Sequence, residues 1–453
     1  MDFKKNRVFL IVMSNEALSG MNSPIHSDEE TVQLDMWITY LKNLARQCIN
    51  KLHLAFYVGY KYTADFFWIV LILHCLMNLS LDEAANRYND FLWKERQRRQ
   101  RRKKEPRHFG GRGKRHERLC PNGDQVRKYR NSLPNYVIKE LNRFVFETQL
   151  DYARNEKLMS NTVELLVDNT DQWYYGSDRF PGNPFITKGH NGPGTNRKRK
   201  YIAVMLKSAK TYIYCGVDLV KKHASNVPFI IKTVDWLIQK DFHIRHVLGD
   251  RWFPTYEFLS ELQVRGIHYI GPYKKWKPIK RLIKAYLKDG KQYIQEYWLK
   301  GAPAQWYHAP AIKLHLIFIN RRGKRLREIR QEYLKSGKKP EEFFDDIMVM
   351  MTTYPPPKGK KQRQGWANRI CHEYDHRWNI ETGFRDLNRI SPPSNARTNI
   401  RKYFMFTVRF WIFNAWHIAR AKMRLEQRRE KHKTPAITLR QFSYRTLCLE
   451  GCA

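Results

Sequence analysis

The stretch VELLVD, at residues 163–168, decides the fold of this chain. Its run of Val and Leu predicts a buried strand that ends in the carboxylate of Asp168. The stretch HIRHVLGD, at residues 243–250, has the same form and ends in Asp250. Because α/β proteins bind their ligands at the carboxyl ends of the strands, we expect the two aspartates to face one site.

The residues around these two stretches complete an α/β pattern. Two neighbouring segments, 201–206 and 212–217, are dense in β-branched and aromatic residues, which favours two more strands. The other elements are a helix at 227–239, a helix that Pro254 opens and Gly266 ends, and a short strand at 267–270. A Gly-, Pro- and Asn-rich loop is expected at 182–196. We therefore predict an α/β core with a mixed five-stranded sheet and helices.

The texture of the sequence divides the chain into five segments. They are a helical DNA-binding domain at 1–155, the first part of the core at 156–271, a mostly β insertion at 272–363, a helical second part of the core at 364–430 and a C-terminal tail at 431–453. The insertion has predicted strands at 292–299, 311–320 and 347–354 and a helix at 325–336, and long helices are expected at 364–387 and 401–430. A basic arm at 94–118 holds thirteen Lys or Arg and three Glu.

Charge and composition restrict the function. The 453 residues contain 83 Lys or Arg and 43 Asp or Glu, a formal net charge of +40. Such an excess attracts polyanions, and nucleic acid is the first of them. The longest apolar run, residues 66–73, is shorter than the roughly 18 to 20 residues of a membrane helix, so no membrane is expected as a partner. Seven widely spaced cysteines without a CxxC pair fit a reducing cytoplasm.

The stretch YDHRWNIETGFR, at residues 374–385, surrounds one carboxylate with cations on a single helix face. At 100° per residue the members of this face are Tyr374, Arg377, Glu381, Arg385 and Asn388. Such a face is either an ion-pair stripe or a metal ligand flanked by phosphate contacts. Two strand-end aspartates and a helical Glu could hold two Mg²⁺ ions, because this ion prefers oxygen ligands.

These motifs resemble those of bacterial and archaeal insertion-sequence DDE transposases. In that family a Tyr, an Arg and a Lys surround the catalytic Glu, and Tyr374, Arg377 and Glu381 match in type and spacing. The stretches VDNTD, at 167–171, and LGDRWF, at 248–253, resemble the strands that carry the first and second Asp. The resemblance implies an RNase H-like core that is interrupted by a β-rich insertion.

The resemblance also implies an activity. It covers about residues 160–425 and implies a DNA transposase that binds the terminal inverted repeats of its own element, cuts at their ends and joins the freed 3′-hydroxyl to target DNA. Asp168, Asp250 and Glu381 would be catalytic and bind two Mg²⁺ ions, for which Mn²⁺ would substitute. The expected partners are double-stranded DNA and a second copy of the chain, in a prokaryotic cytoplasm at the nucleoid.

The DNA contacts are expected from a further set of residues. This set comprises Tyr374, Arg377, Arg385, Asn388, Arg251 and Trp252. Trp252 could stack on an unpaired base near the cleaved bond, although such an aromatic residue is more often part of a core. Asn388 stands where the family has Lys, and Arg385 lies one turn earlier on the same face. Asp171 competes with Asp168 for the first position, and we prefer Asp168 because it ends the apolar run directly.

Two alternatives remain open from the sequence. The first is a relative with the same fold that binds DNA and no longer cuts it, which the Asn at position 388 would favour. The second is a zinc metallopeptidase, because HEYDH at residues 372–376 fits the HExxH pattern. Against the second, the positions of a third ligand at metzincin spacing hold other residues, and a peptidase has no use for the large positive charge.

Overall fold

The computed structural model describes residues 64–77, 79–102, 120–175, 183–192, 194–209, 211–290, 293–301, 310–320, 326–390 and 398–430. The predictions made for residues 1–63, for most of the basic arm (103–118) and for the C-terminal tail lie outside these ranges. Within them the chain has a mixed α/β fold, in which helices cover one large mixed sheet. None of the helices in these ranges combines the length and the hydropathy of a membrane span.

Among the described residues four helices precede the sheet, as the helical pattern of this region predicts. They are α1 (Ala64–Met77), α2 (Leu81–Arg102), α3 (Gly123–Ser132) and α4 (Asn135–Asn155). Ser80 caps α2, since its hydroxyl accepts a hydrogen bond from the Glu83 amide at 3.1 Å. The aromatic rings of α1 face inward, and Phe67 stacks on Tyr129 of α3 at 4.6 Å. The helices therefore share one hydrophobic core.

Strands β1 to β6 form the first part of the sheet, and β1 lies in its middle. They are β1 (Thr162–Trp173), β2 (Ile186–Gly192), β3 (Thr195–Lys207), β4 (Tyr212–Leu219), β5 (His243–Gly249) and β6 (His268–Pro272). Strand β1 is antiparallel to β3 on one side and parallel to β5 on the other. The far edge of β3 pairs first with β2 and then with β4, and β6 lies parallel to β5. Helices α5 (Val227–Gln239) and α6 (Tyr256–Val264) connect the later strands.

Three local predictions for this part of the sheet were wrong. Strand β1 continues past Asp168, because residues 170–173 pair with residues 198–201 of β3 in a long polar hairpin. The loop expected at 182–196 contains β2, whose weak β pattern is compensated by pairing with β3. Helix α6 starts at Tyr256, since the Thr255 hydroxyl accepts from the Phe258 amide at 3.3 Å and Pro254 lies outside the helix.

The expected β insertion is part of the same sheet. Its strands are β7 (Ile294–Leu299), β8 (Ile312–Asn320) and β9 (Ile347–Thr352), and its helices are α7 (Lys277–Asp289) and α8 (Leu326–Ser336). Strand β9 pairs with β6, so the order is β2-β3-β1-β5-β6-β9-β8-β7, with β4 also on β3. The prediction of a sheet with five strands was wrong, because the free backbone groups of β6 pair with the insertion. Helix α7 was not predicted.

The last helices lie against the sheet. They are α9 (Lys360–Asp375), α10 (Trp378–Arg389) and α11 (Asn399–Glu430). The single helix predicted at 364–387 is divided, because the amides of His376 and Arg377 bond to carbonyls three residues earlier. The buried Asn414 of α11 joins the helix to β4: its side chain accepts from the Tyr214 amide and donates to the Tyr214 carbonyl, each at 2.8 Å.

Candidate active site

The two strand aspartates lie side by side. The parallel pairing of β1 and β5 runs as far as Val167 and Gly249, which are partners in the register. Asp168 and Asp250 are the next residues along the chain, the first within β1 and the second directly after β5. Asp168 is in the interior of β1 rather than at its end, but it follows the last residue of the parallel pairing. The sequence predicted that the two aspartates lie side by side, but it placed the end of β1 five residues too early.

The helical carboxylate reaches the same place through an arginine. The Arg377 guanidinium donates from Nη1 to Oδ2 of Asp168 at 3.0 Å, and its Nη2 lies 2.5 Å from Oε1 of Glu381. Arg377 directly precedes α10, at the turn after α9, so the turn aims its side chain at β1. The guanidinium thus connects Asp168 to Glu381 although 213 residues separate the two carboxylates in sequence.

The electrostatics agree with a cluster of three carboxylates. Burial raises the pKa of Asp168 to about 6, the Arg377 guanidinium and the Asn169 amide act in the opposite direction, and the charges of Asp250 and Glu381 raise it further. All three acidic groups are therefore within electrostatic range of one another. Burial thus disfavours the charged form of Asp168, and the Arg377 guanidinium stabilises that form.

Tyrosine and glycine residues that the sequence analysis did not select position these groups. The Tyr269 hydroxyl donates to the carbonyl of Asp250 at 3.2 Å. Gly271 allows this approach, because a Cβ atom there would lie 2.4 Å from the carbonyl oxygen of Gly249. The signal in the sequence was weak, since a Gly in a short strand has several explanations.

The other predicted contact residues are exposed or half-buried. Tyr374 is half-buried with its ring under Arg377 at 5.3 Å, and burial raises its pKa to about 12. Arg385 and Asn388 are exposed on α10. Arg251 is exposed beside Trp252, whose side chain is 63% exposed and lies under the Lys274 ammonium at 3.5 Å. The interpretation of Trp252 as a core residue is therefore wrong.

Asp171, the competitor for the first position, has another partner. Its carboxylate forms an ion pair with Lys198 on the neighbouring strand β3. Arg377 contacts Asp168 instead. The geometry therefore favours Asp168 as the member of the cluster.

The HEYDH segment does not have the arrangement of a peptidase zinc site. His372 is exposed and its nearest acidic neighbour is Asp375 of the same helix, at 3.8 Å between Nδ1 and Oδ2. Glu373 and His376 face inward, toward Glu164. A peptidase site needs both histidines as ligands and leaves the Glu free to act as a base.

The three carboxylates suit a hard divalent cation. They offer only oxygen donors, and two of them already share one cationic group. Asp168, Asp250 and Glu381 thus form one set of oxygen donors that could hold metal ions.

Comparisons with known proteins give a family and a likeness among solved structures. The family model described as transposase DDE domain matches residues 162–414, from β1 into α11. No curated protein matched the sequence. Among solved structures, the chain is similar to piggyBac transposase in a cryo-EM structure of its synaptic complex with hairpin DNA. The TM-score is 0.45 at 10% sequence identity, over 92% of this chain and 78% of that chain.

Proposed function

The chain belongs to the family of proteins with a transposase DDE domain, and we propose that it is an active DNA transposase. It binds the terminal inverted repeats of its own element, cleaves the strands at their ends and joins the freed 3′-hydroxyl to target DNA. Asp168, Asp250 and Glu381 are its catalytic residues. The reaction takes place on double-stranded DNA in a complex of two copies of the chain, at the nucleoid of a prokaryotic cytoplasm.

One observation carries the proposal: Arg377 contacts Asp168 and Glu381 at once. The guanidinium joins a carboxylate of a strand to one of a distant helix, and the charges of Asp250 and Glu381 both act on Asp168. Structural ion pairs do not need three carboxylates at one point, because like charges repel at short range. Binding of divalent cations offsets that repulsion, and this is the reason for assigning the cluster a catalytic role.

The chemistry divides between the ions and the side chains. Two bound Mg²⁺ or Mn²⁺ ions would activate the attacking oxygen and neutralise charge on the leaving oxygen of the phosphodiester. Asp168, Asp250 and Glu381 would hold the ions, and the Tyr269 hydroxyl orients the Asp250 backbone. Arg377 offsets part of the negative charge of the three carboxylates, and with ions bound it would be available to a phosphate oxygen.

The DNA would lie along the exposed rim. Arg251, Trp252 and Lys274 form one side of it, and Arg385 and Asn388 lie on α10. Arg385 supplies the positive charge that Lys provides in the family pattern, because it is one turn before Asn388 on the same helix. The net charge of +40 provides attraction to the DNA backbone over the rest of the surface.

The strand order supports an RNase H-like core within the larger sheet. In the order β4-β3-β1-β5-β6, β1 is central. On one side β3 pairs antiparallel with β1, and β4 pairs antiparallel with β3. On the other side β5 pairs parallel with β1, and β6 pairs parallel with β5. We assign residues 156–271 and 364–430 to this core and residues 272–363 to an insertion that extends its sheet. Residues 1–155 would be the DNA-binding domain.

Cleavage of an element end tests the proposal. The probe is a DNA duplex that carries the inverted repeat flanking the gene, incubated with the full chain and Mg²⁺ or Mn²⁺. Wild type and His372→Ala should nick it and join the product to a plasmid, whereas Glu381→Gln should bind it without cutting. Binding without cleavage by wild type in both metals would favour the relative that has lost its activity, for which the Asn at position 388 is the supporting feature.

A further inference from the structure

A second group of ionisable side chains lies on the same strands as the candidate active site. Glu164 on β1, His246 on β5 and Glu373 on α9 have ligand atoms within 4.8 Å of one another. Each is four residues before a residue of the candidate active site, namely Asp168, Asp250 and Arg377. Four residues of a strand span roughly 13 Å, so the second group is separate from the first.

The hydrogen bonds of Tyr354 fix the tautomer of His246. The Tyr354 hydroxyl donates its hydrogen to the carbonyl of Arg245 at 2.9 Å. Its oxygen can therefore only accept from the His246 ring, whose Nδ1 lies 3.3 Å away. Nδ1 then carries the hydrogen, and Nε2 presents a lone pair to the interior of the group. Histidine ligands of metals are held in this way by a partner on the other ring nitrogen.

Two buried acceptor atoms consequently face each other. Nε2 of His246 and Oε2 of Glu373 are 3.8 Å apart, and neither atom has a hydrogen-bond partner among the residues that the structure describes. The His246 side chain is only 3% exposed. Two lone pairs that are turned toward each other in a buried place cost free energy unless a cation lies between them.

A second histidine brings the donor set to four. Nδ1 of His376 is 2.7 Å from Oε2 of Glu164 and 3.5 Å from Oε2 of Glu373. Donor atoms around a tetrahedral zinc ion are about 3.4 Å apart, as follows from its bond lengths of about 2.0–2.2 Å. The separations of 3.5 Å and 3.8 Å are close to this value. The contact of 2.7 Å between His376 and Glu164 is a hydrogen bond, which a bound ion would replace.

The neighbouring cations mainly serve Glu164. Arg245 forms an ion pair with Glu164 and is 3.9 Å from Oε2 of Glu373, and Lys207 is 3.3 Å from Oε2 of Glu164. The negative charge of Glu373 is therefore only weakly compensated. The Arg245 side chain is 45% exposed at the edge of the group, so it can turn into solvent when an ion enters.

We propose that Glu164, His246, Glu373 and His376 form a structural zinc site. Imidazole and carboxylate donors together suit Zn²⁺, whereas Mg²⁺ prefers a set of oxygens alone. The ion would connect the end of α9 to β1 and β5. Since His376 directly precedes Arg377, the ion would also hold the turn that aims Arg377 at Asp168. The site uses the Glu and the second His of the HEYDH segment and leaves His372 in solvent.

Cobalt binding to the full chain tests this site apart from the first one. The background carries Asp168→Asn and Glu381→Gln, which removes two carboxylates of the first cluster. In this background Co²⁺ should bind at one equivalent with the intense visible absorption of tetrahedral coordination, and Zn²⁺ should displace it. Glu373→Gln should weaken binding by more than the roughly 10- to 100-fold that loss of a supporting hydrogen bond costs. The matched control, His372→Ala on the same helix, should bind as before.

Two results would overturn the proposal. The first is a folded background protein that gives no tetrahedral absorption with Co²⁺ and retains no zinc after dialysis. The four side chains would then be joined by hydrogen bonds alone. The second is binding that survives both Glu373→Gln and His246→Asn, because the metal would then lie elsewhere. Circular dichroism of each variant shows whether it is folded, and the first result needs no substitution in the site itself.

Discussion

Gly383 on α10 lies so close to Tyr214 on β4 that a Cβ atom at residue 383 would be 2.4 Å from the phenolic oxygen. The Tyr214 hydroxyl donates to the carbonyl of Ile380 at 3.3 Å, one turn earlier on the same helix. Glu381 is adjacent to that carbonyl. The contact between Gly383 and Tyr214 therefore sets how near the helix approaches the sheet and where the carboxylate of Glu381 lies.

Substitution of Gly383 by Ala should destabilise the protein and reduce DNA cleavage. The helix propensity gained is about 1 kcal/mol, but overpacking of a buried contact costs about 1–3 kcal/mol. Tyr214→Phe alone should cost about 1 kcal/mol for the missing hydrogen bond. Urea unfolding of both single variants and the double variant measures the coupling. The double variant should lose less than the sum of the two, and simple additivity would show that the two residues do not clash.

Removal of Arg377 should make the stability of the protein depend on divalent metal. Its side chain is mostly buried between Asp168 and Glu381, so Arg377→Ala leaves buried carboxylates without their cation, at a cost of about 3 kcal/mol or more. Mg²⁺ should restore much of the loss, because it offers the same charge compensation. Thermal unfolding with and without Mg²⁺ measures both effects.

The control for this prediction is Arg385→Ala, on the exposed face of the same helix. It should change stability by less than about 0.5 kcal/mol, with or without the metal. An Arg377→Ala variant that is as stable as wild type in the absence of metal would show that the guanidinium does not compensate the two carboxylates.

The sequence indicated the candidate residues of the site in more detail than it indicated the fold around them. Asp168, Asp250 and Glu381 were selected because carboxylates after apolar runs and a Glu on a cationic helix face are local patterns. The mutual placement of Asp168 and Arg377, in contrast, depends on the turn at His376 between α9 and α10. Periodicity predicted one continuous helix there, since both parts have helical composition.

Strand pairing was the part that the sequence could not give. The pattern predicted β9 and its neighbours, but the pairing of Ile270 with Thr352 joins segments 82 residues apart. Hydrophobic alternation describes a strand and not its partner. For the same reason a loop was predicted in place of β2: its residues, ITKGHNG, are polar and are ordered by β3. The role of Gly383 could not be predicted either, because the close approach of α10 to Tyr214 is visible only in the folded structure.

Stability should fall as the pH decreases below about 6.5, in part through His417. Burial holds the pKa of this residue far below its ordinary value, with Arg420 and Arg424 acting in the same direction. In the unfolded chain His417 binds a proton as the pH falls through about 6.5, and in the folded chain it does not, so acid favours unfolding. His417→Phe keeps an aromatic ring beside Tyr212 and Phe413 and removes this contribution. Urea unfolding at about pH 7.5 and about pH 5.5 should show a smaller difference for the variant, by about 1 kcal/mol. Equal differences would contradict the assignment.

The basic arm at 94–118 should govern the salt dependence of DNA binding. Its thirteen Lys and Arg residues release counterions when they contact phosphates. Replacing four of them by Gln in the full chain should make the plot of log K against log salt concentration shallower, by about 0.9 for each phosphate that is no longer neutralised. Fluorescence anisotropy over a salt series measures the slope. An unchanged slope would place the electrostatic contacts elsewhere on the chain.

Manganese binding to single-carboxylate variants tests the central claim most directly, namely that Asp168, Asp250 and Glu381 form one metal-binding centre. Calorimetric titration of the full chain with Mn²⁺ should show binding in wild type that Asp168→Asn, Asp250→Asn and Glu381→Gln each weaken strongly. Asp171→Asn, whose carboxylate pairs with Lys198, should bind like wild type. If the three variants kept wild-type affinity, or if Asp171→Asn alone lost it, the three carboxylates would not be the metal centre of this transposase.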